Sequence, residues 1–305
     1  MTTPTPRRLR DTLAANRFVL TAEITPPVSG DAGELVEMAQ AFRGLADAVN
    51  LTDGAGARPH MCALAAGALL VQNGVEPIMQ ITARDRNRIA IQGDVMGAAA
   101  LGIRNFMVMT GDQPNAGDQP ETKGVFDLNS GQIIDMIKRM RDEGKLPSGR
   151  AIAGGLDGVM LGCADMPIDP APGWEPKGLV AKCDAGSAFA QTQFCMDIDI
   201  AKRYAARLVE HGLDKRVKLI VGVVPMRSAK SAAWIKSNLY GSIIPDAQIA
   251  RLERAADPAA EGVTICVEVI EALCDIPGIA GAHVMAPRNE AAAVEVLRQA
   301  RGRLG

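Results

Sequence analysis

One alternation runs through nearly the whole chain: a short, almost unbroken apolar stretch, then a longer segment whose apolar residues recur three and four positions apart. The first pattern suits a strand buried on both faces, and the second suits an amphipathic helix. "FVLTAEI" is followed by "DAGELVEMAQAFRGL", where Asp31 and Glu34 have the spacing of a capping box and Leu35, Met38, Ala41, Phe42 and Leu45 share a face. "DAVNLTD" leads to "HMCALAAGALLVQNG", with Gly74 as its C-terminal cap. "EPIMQITARD", "IRNFMVMTGD", "GVMLGCADMP", "AFAQTQFCMD", "VKLIVGVVPM" and "IAGAHVMAP" supply six further strands, each with helical sequence behind it. After the seventh come "AKSAAWIKSN", "DAQIARLERAA" and an additional helix in "TICVEVIEALCD".

Eight apolar strands in strict alternation with helices predict an α/β protein with an all-parallel sheet. Closed on itself, that sheet is a (β/α)8, or TIM, barrel. The alternative is an open doubly wound sheet, but its usual Gly-x-Gly-x-x-Gly loop does not follow the first strand. The 305 residues suit one barrel, and no stretch of disordered composition divides them, so residues 1–305 are expected to form a single domain. The two long irregular stretches, "QPNAGDQPETKGVFDLNS" and "MPIDPAPGWEP", both follow strand C-terminal ends, the end of a barrel at which active sites are built.

Polar residues collect at those same ends. Pro26 and Pro27 must stop the first strand, because proline lacks the amide a ladder needs, and this leaves Glu23 at or near the strand's C-terminal end. Thr52 and Asp53 end the second strand; Gln80, Thr82 and Arg84 the third; Asp112 the fourth; Gln191 and Gln193 the sixth; Arg227 the seventh; His283 and Arg288 the eighth. Each also has a plain structural reading. Glu23 could be a buried carboxylate matched to an arginine, Asp112 a turn residue beside Gly111, Gln193 a core amide, and His283 a satisfied core histidine. His60 and His211 read as helix-surface positions.

Several function classes are excluded. With 33 basic and 35 acidic residues there is no electrostatic footprint for nucleic acid or an anionic membrane. Six cysteines lie scattered in apolar segments without ligand spacing, which reads as buried reduced thiols with neither zinc nor disulfides, and no metal set is expected. "MTTPTPRRLRDTL" is not followed by the apolar core of a signal peptide, and no apolar run reaches membrane-spanning length, so a soluble cytoplasmic protein is expected. There is no Gly-x-Ser-x-Gly elbow and no Walker loop; Lys218 opens a strand and Lys182 lies in a helix, so no lysine occupies a strand's C-terminal end. The side chains alone cannot carry redox or group transfer, which points to a bound cofactor.

"FVLTAEITPP", "NLTDGAGARP", "ITARDRNR" with "GAAALGIRNFMVMTGDQP", "KCDAGSAFAQTQF" and "GVVPMRSAKSAAWI" occur in the order and spacing of 5,10-methylenetetrahydrofolate reductases, which the chain resembles from about Arg17 to about Leu297. The resemblance implies a ping-pong reaction in which NADH or NADPH reduces FAD, and reduced FAD passes a hydride to 5,10-methylenetetrahydrofolate to give 5-methyltetrahydrofolate, or the reverse. It implies that Glu23 protonates the folate, that Gly111 and Asp112 lie by the flavin and the pterin, and that Thr192 and Gln193 contact nicotinamide or pterin. By the same resemblance Thr52, Asp53, Gln80, Arg84, Thr110 and Lys182 fall in the cofactor site, and Gln193 and Arg288 in the folate site. The chain departs from the family where many members carry a histidine (here Gln80), an arginine (here Ala181) and a loop histidine (here near Pro170). The FAD diphosphate thereby loses positive partners, for which Arg84, Arg86 and Lys177 are the substitutes, and FMN or a flavin-free variant stays open. Some members act through a partner subunit, and the apolar outer helices leave a homo-oligomer open too.

Overall fold

The computed structural model describes residues 9–304. Eight parallel strands close in sequence order, so the barrel is the solution and the open sheet is not. They are β1 (Val19–Ile24), β2 (Ala48–Leu51), β3 (Pro77–Thr82), β4 (Asn105–Met109), β5 (Met160–Asp165), β6 (Phe189–Phe194), β7 (Lys218–Val223) and β8 (Ile279–Val284). Pairing of Thr21 with His283 and of Glu23 with Asn50 joins β1 to both neighbours. A short helix, α1 (Leu9–Ala14), precedes the barrel. Around it lie α2 (Ala32–Ala41), α3 (Ala63–Gln72), α4 (Arg88–Ala100), α5 (Ser130–Glu143), α6 (Lys177–Ala185) and α7 (Ile198–Glu210). Three helices follow β7, namely α8 (Ala229–Asn238), α9 (Asp246–Arg254) and α10 (Pro258–Cys274), and α11 (Glu290–Leu304) follows β8.

Side chains alternate across each strand, so two cores form. Outward residues such as Leu20, Val49, Met79, Phe106, Leu161 and Val221 pack against the helices. Inward residues Val19, Ala48, Ile78, Met107, Met160, Phe189 and Ile220 make a floor, which α1 covers from below with Leu9 and Leu13. Gly162 makes room for it: a Cβ there would lie 2.2 Å from the Phe189 ring. The buried polar residues Thr21, Asn50, Gln191 and His283 therefore stand on an apolar floor, toward the C-terminal mouth.

Three local expectations need correction. Asp31 caps α2 through the amide of Gly33, not that of Glu34, so the cap is an Asx-type turn one residue short of a capping box. His60 is not on a helix but in the segment between β2 and α3. The cysteines are all free, but only Cys163, Cys195 and Cys266 are buried, while Cys62 and Cys274 are exposed because each sits at a helix end. Gly74 does follow α3 in a left-handed conformation, at φ +72°.

Candidate active site

β1 places Glu23 on the barrel's inner face near its open end, its side chain 19% exposed. Gln80 from β3 donates its amide to Glu23 Oε2 at 3.0 Å, and His283 from β8 approaches the same oxygen with Nε2 at 3.7 Å. No Arg or Lys pairs with it among the described residues, so the matched-arginine reading of Glu23 fails. Beneath, His283 Nδ1 lies 2.9 Å from Thr21 Oγ1, which also takes the Gln191 amide at 3.2 Å, and Gln191 exchanges amide bonds with Asn50. Gln191 is thus a buried interior residue one tier below the mouth, and Gln193 is the strand-end amide.

The β2–β4 rim is organised differently. Asp53 is buried and accepts from the Thr82 amide and hydroxyl and from both terminal nitrogens of Arg86, whose Nε reaches Asp94 at 2.8 Å. Arg84 forks onto Asp85 and also reaches the carbonyls of Gly54 and Asp112. Donating to Asp85 pushes the Arg84 pKa up. Burial is the largest single influence on Arg86 and pulls its pKa down, but the Asp53 hydrogen bond together with the charges of Asp53, Asp94 and Asp85 outweighs it and leaves the pKa raised. Burial also pushes the Asp94 carboxyl up against the pull of Arg86. Gly54, at φ +62°, permits this packing, because a Cβ would stand 2.1 Å from Arg84 Nη2.

Thr52 is buried at the head of the same loop, beside His60, whose Nε2 accepts from the Gly54 and Ala55 amides and faces the Thr52 hydroxyl while Nδ1 donates to Met61 O. His60 thus holds the loop after β2, a role no periodicity announces. Asp112 Oδ2 takes the amide of Gly56 at 3.0 Å, clasping the loops after β2 and β4 together; neighbouring Thr110 is exposed, and Gly111 turns at φ +85° against Thr82.

On the far rim Gln193 is half-buried, its Oε1 accepting the Phe194 amide, which leaves its NH2 group toward the mouth. Thr192 does not join it: its hydroxyl takes the Gly222 amide and donates to Gln193 O, stabilising the irregularity between β6 and β7. Lys182 on α6 reaches back to Ala164 O at 2.5 Å and has no carboxylate partner among the described residues. Arg288, at φ +58°, and Arg227 are exposed on the loops after β8 and β7. The structure thus gathers Glu23, Gln80, Gln193 and His283 about the mouth, ties Thr52, Asp53, Arg84 and Asp112 into the β2–β4 rim, and leaves Lys182 and Arg288 on separate loops and helices.

A flavin fits this donor set at its ring end, where Gln80, Asp112 and the Gln193 amide offer donors and acceptors. At the diphosphate end the fit is thin. Arg84 and Arg86 are neutralised by Asp85, Asp53 and Asp94, and Lys177 pairs with Glu175 at the surface. Each of these three already has a carboxylate partner, and Lys182 is the cation of the proposed cofactor set without one among the described residues.

Fold and site together define a parallel (β/α)8 barrel whose C-terminal mouth holds one carboxyl, Glu23, with no Arg or Lys partner among the described residues. The methylenetetrahydrofolate reductase family profile matches residues 8–301, and the chain belongs to that family. A probable methylenetetrahydrofolate reductase (NADPH) from Caenorhabditis elegans is 26% identical over 237 residues, 76% of this chain and 33% of that protein, so the chain spans about a third of that relative. Among solved structures, an uncharacterized Clostridium thermocellum protein that binds two copies of 5-methyl-5,6,7,8-tetrahydrofolic acid matches with a TM-score of 0.65 at 14% identity, over 97% of this chain and 98% of that one. A riboflavin lyase with modified FMN and riboflavin matches at 0.57 and 11%, over 94% and 91%. At such identities the structural likeness speaks for the fold alone. No helix among the described residues is long and apolar enough to cross a membrane.

Proposed function

We propose that this chain reduces 5,10-methylenetetrahydrofolate to 5-methyltetrahydrofolate with NADH or NADPH as the source of hydride. The observation that carries the reading is the partner set of Glu23. Asp53, Asp85 and Asp94 are each matched to an arginine, whereas among the described residues Glu23 has only Gln80 and His283. A general acid needs such a setting, because a fixed cation would hold it in the anionic form. Glu23 gives its proton to the folate nitrogen whose release opens the five-membered ring, which exposes the one-carbon unit to hydride.

The other candidates bind and orient. The Gln193 amide meets the pterin or the nicotinamide, Asp112 accepts from pterin N–H groups, and the exposed Arg288 meets a carboxylate of the folate tail. Thr52, Gln80, Thr110, Gly111 and Asp112 line the ring end of a bound FAD, with Lys182 toward its phosphates. Bound there, the flavin supplies a two-electron relay between nicotinamide and folate. Family membership supports the substrate class.

The test is turnover by the pure protein, with each nicotinamide, with and without added FAD or FMN. Formation of 5-methyltetrahydrofolate is expected, and none under any of these conditions would overturn the proposal.

A further inference from the structure

The polar tier under the mouth contains more hydrogen-bonding groups than a floor requires, and their bonds run in one direction. Met107 Sδ lies 3.6 Å from Asn50 Nδ2. A thioether sulfur only accepts, so Asn50 must present its NH2 group to it. The other hydrogen of that group goes to Gln191 Oε1 at 2.6 Å, which turns the Gln191 NH2 toward Asn50 Oδ1 and Thr21 Oγ1, each at 3.2 Å. Thr21 is fully buried, and its oxygen receives the Gln191 proton, so its own hydrogen has one acceptor left: His283 Nδ1, 2.9 Å away. An imidazole that accepts at Nδ1 carries its proton at Nε2. That nitrogen faces Glu23 Oε2.

We propose that the series Met107–Asn50–Gln191–Thr21 fixes His283 as the Nε2–H tautomer, so that His283 is a positioning residue for Glu23 and sets which of its oxygens carries the acid proton. Two N–H groups, from Gln80 and His283, then converge on Oε2. An oxygen that meets two donors has no room for a proton of its own. Among the described residues no donor reaches Oε1, and Oε1 is not buried without a partner, so it is open to solvent at the barrel's end. Glu23 therefore presents its proton on Oε1, toward the substrate.

The 3.7 Å approach of Nε2 is longer than a hydrogen bond, and the proposal requires it to shorten in the reacting complex, where catalytic hydrogen bonds tighten. The opposite arrangement is chemically coherent. If both amides were reversed, Thr21 would donate to Gln191, His283 would carry its proton at Nδ1, and a bare Nε2 would face Glu23 and compete for its proton. Only the Met107 sulfur separates the two, because reversal would set Asn50 Oδ1 against it and leave two acceptors in contact.

The second half of this inference rests on the proposed role of Glu23, and the first does not. Nitrogen NMR of the whole protein, labelled at its three histidines and assigned with His283→Gln, reads the tautomer without substrate. The expected result is a His283 ring protonated at Nε2, with a loss of that preference in Met107→Leu, which keeps the floor apolar and removes the acceptor. A ring protonated at Nδ1 would overturn the proposal whatever the protein catalyses.

Thr21→Val removes the donor to Nδ1 at nearly constant shape. In folate reduction its kcat should fall about three- to tenfold, the size of one neutral hydrogen bond expressed as rate, with KM for folate unchanged. An unchanged kcat, with wild-type turnover intact, would refute the positioning role and leave the reductase reading standing. A wild-type protein that does not reduce the folate would instead remove that reading, and the nitrogen spectrum would still decide the tautomer.

Discussion

Replacing Arg86 with methionine tests whether the β2–β4 rim is built as a self-neutralised cluster. Arg86 holds Asp53 through two hydrogen bonds of 2.7 and 3.1 Å and Asp94 through one of 2.8 Å, and the Asp53 side chain is only 6% exposed. Removing one partner of a buried ion pair costs about 3–5 kcal/mol, because the remaining charge is left desolvated. Asp53 keeps its bonds from the Thr82 amide and hydroxyl, and Asp94, 32% exposed, regains water, so the lower end applies: about 3 kcal/mol. For a chain of this size that lowers Tm by about 5 °C. Urea unfolding of the wild type, Arg86→Met, Asp53→Asn and the double variant closes a cycle. The two losses should fall short of additive by about 2 kcal/mol, since Asp53→Asn relieves the charge that Arg86→Met strands. Additive losses, or a single-variant loss under about 0.5 kcal/mol, would refute the argument.

With Arg86 occupied inside the protein, Arg86→Met should leave flavin affinity unaltered, while Lys182→Ala should weaken it about tenfold, the share of a charge-assisted bond; a visible-absorbance titration with FAD and FMN distinguishes them, and equal affinities would remove Lys182 from the site. With flavin bound, Asp112→Asn should raise its reduction potential, since a nearby negative charge disfavours the reduced anionic ring; an unchanged potential would leave Asp112 only its clasp on the Gly56 amide. A native thiol titration near pH 8 should label Cys62 first and then Cys274, whose pKa is raised by burial and by Asp275. Cys163 and Cys195, pushed by burial up to about 12, hold almost no thiolate there and should react only on unfolding; prompt labelling of either would contradict the packing.

The barrel was legible because its information is periodic. Buried parallel strands must be apolar on both faces and helices on one, and both patterns survive without neighbours in view. The C-terminal location of the polar residues was legible for the same reason, and Glu23 was marked by the prolines that end β1. The pairings were not. "ITARDRNR" holds Arg84 and Arg86 two residues apart, and only the fold shows that Asp85, Asp53 and Asp94 neutralise them. His60 follows an ordinary loop sequence, and its role depends on amides that converge only when Gly54 turns. Thr21, Asn50 and Gln191 did carry a signal, a polar residue at an inward position of an otherwise apolar strand, but on one strand at a time it reads as an isolated exception. Met107 carries none, since its part lies in a sulfur's inability to donate.

Glu23→Gln isolates the proposed role of Glu23 as the acid of the reaction. Glutamine keeps the side chain's shape and an oxygen for the Gln80 and His283 donors, so fold and folate binding should persist. Rapid-quench measurement of 5-methyltetrahydrofolate formation at saturating folate should show a fall of about 10²- to 10⁴-fold, the usual contribution of a general acid, while oxidation of NADH by bound flavin continues at its original rate. A variant that forms 5-methyltetrahydrofolate at nearly the unmodified rate, or one that loses stability and both half-reactions alike, would contradict the account.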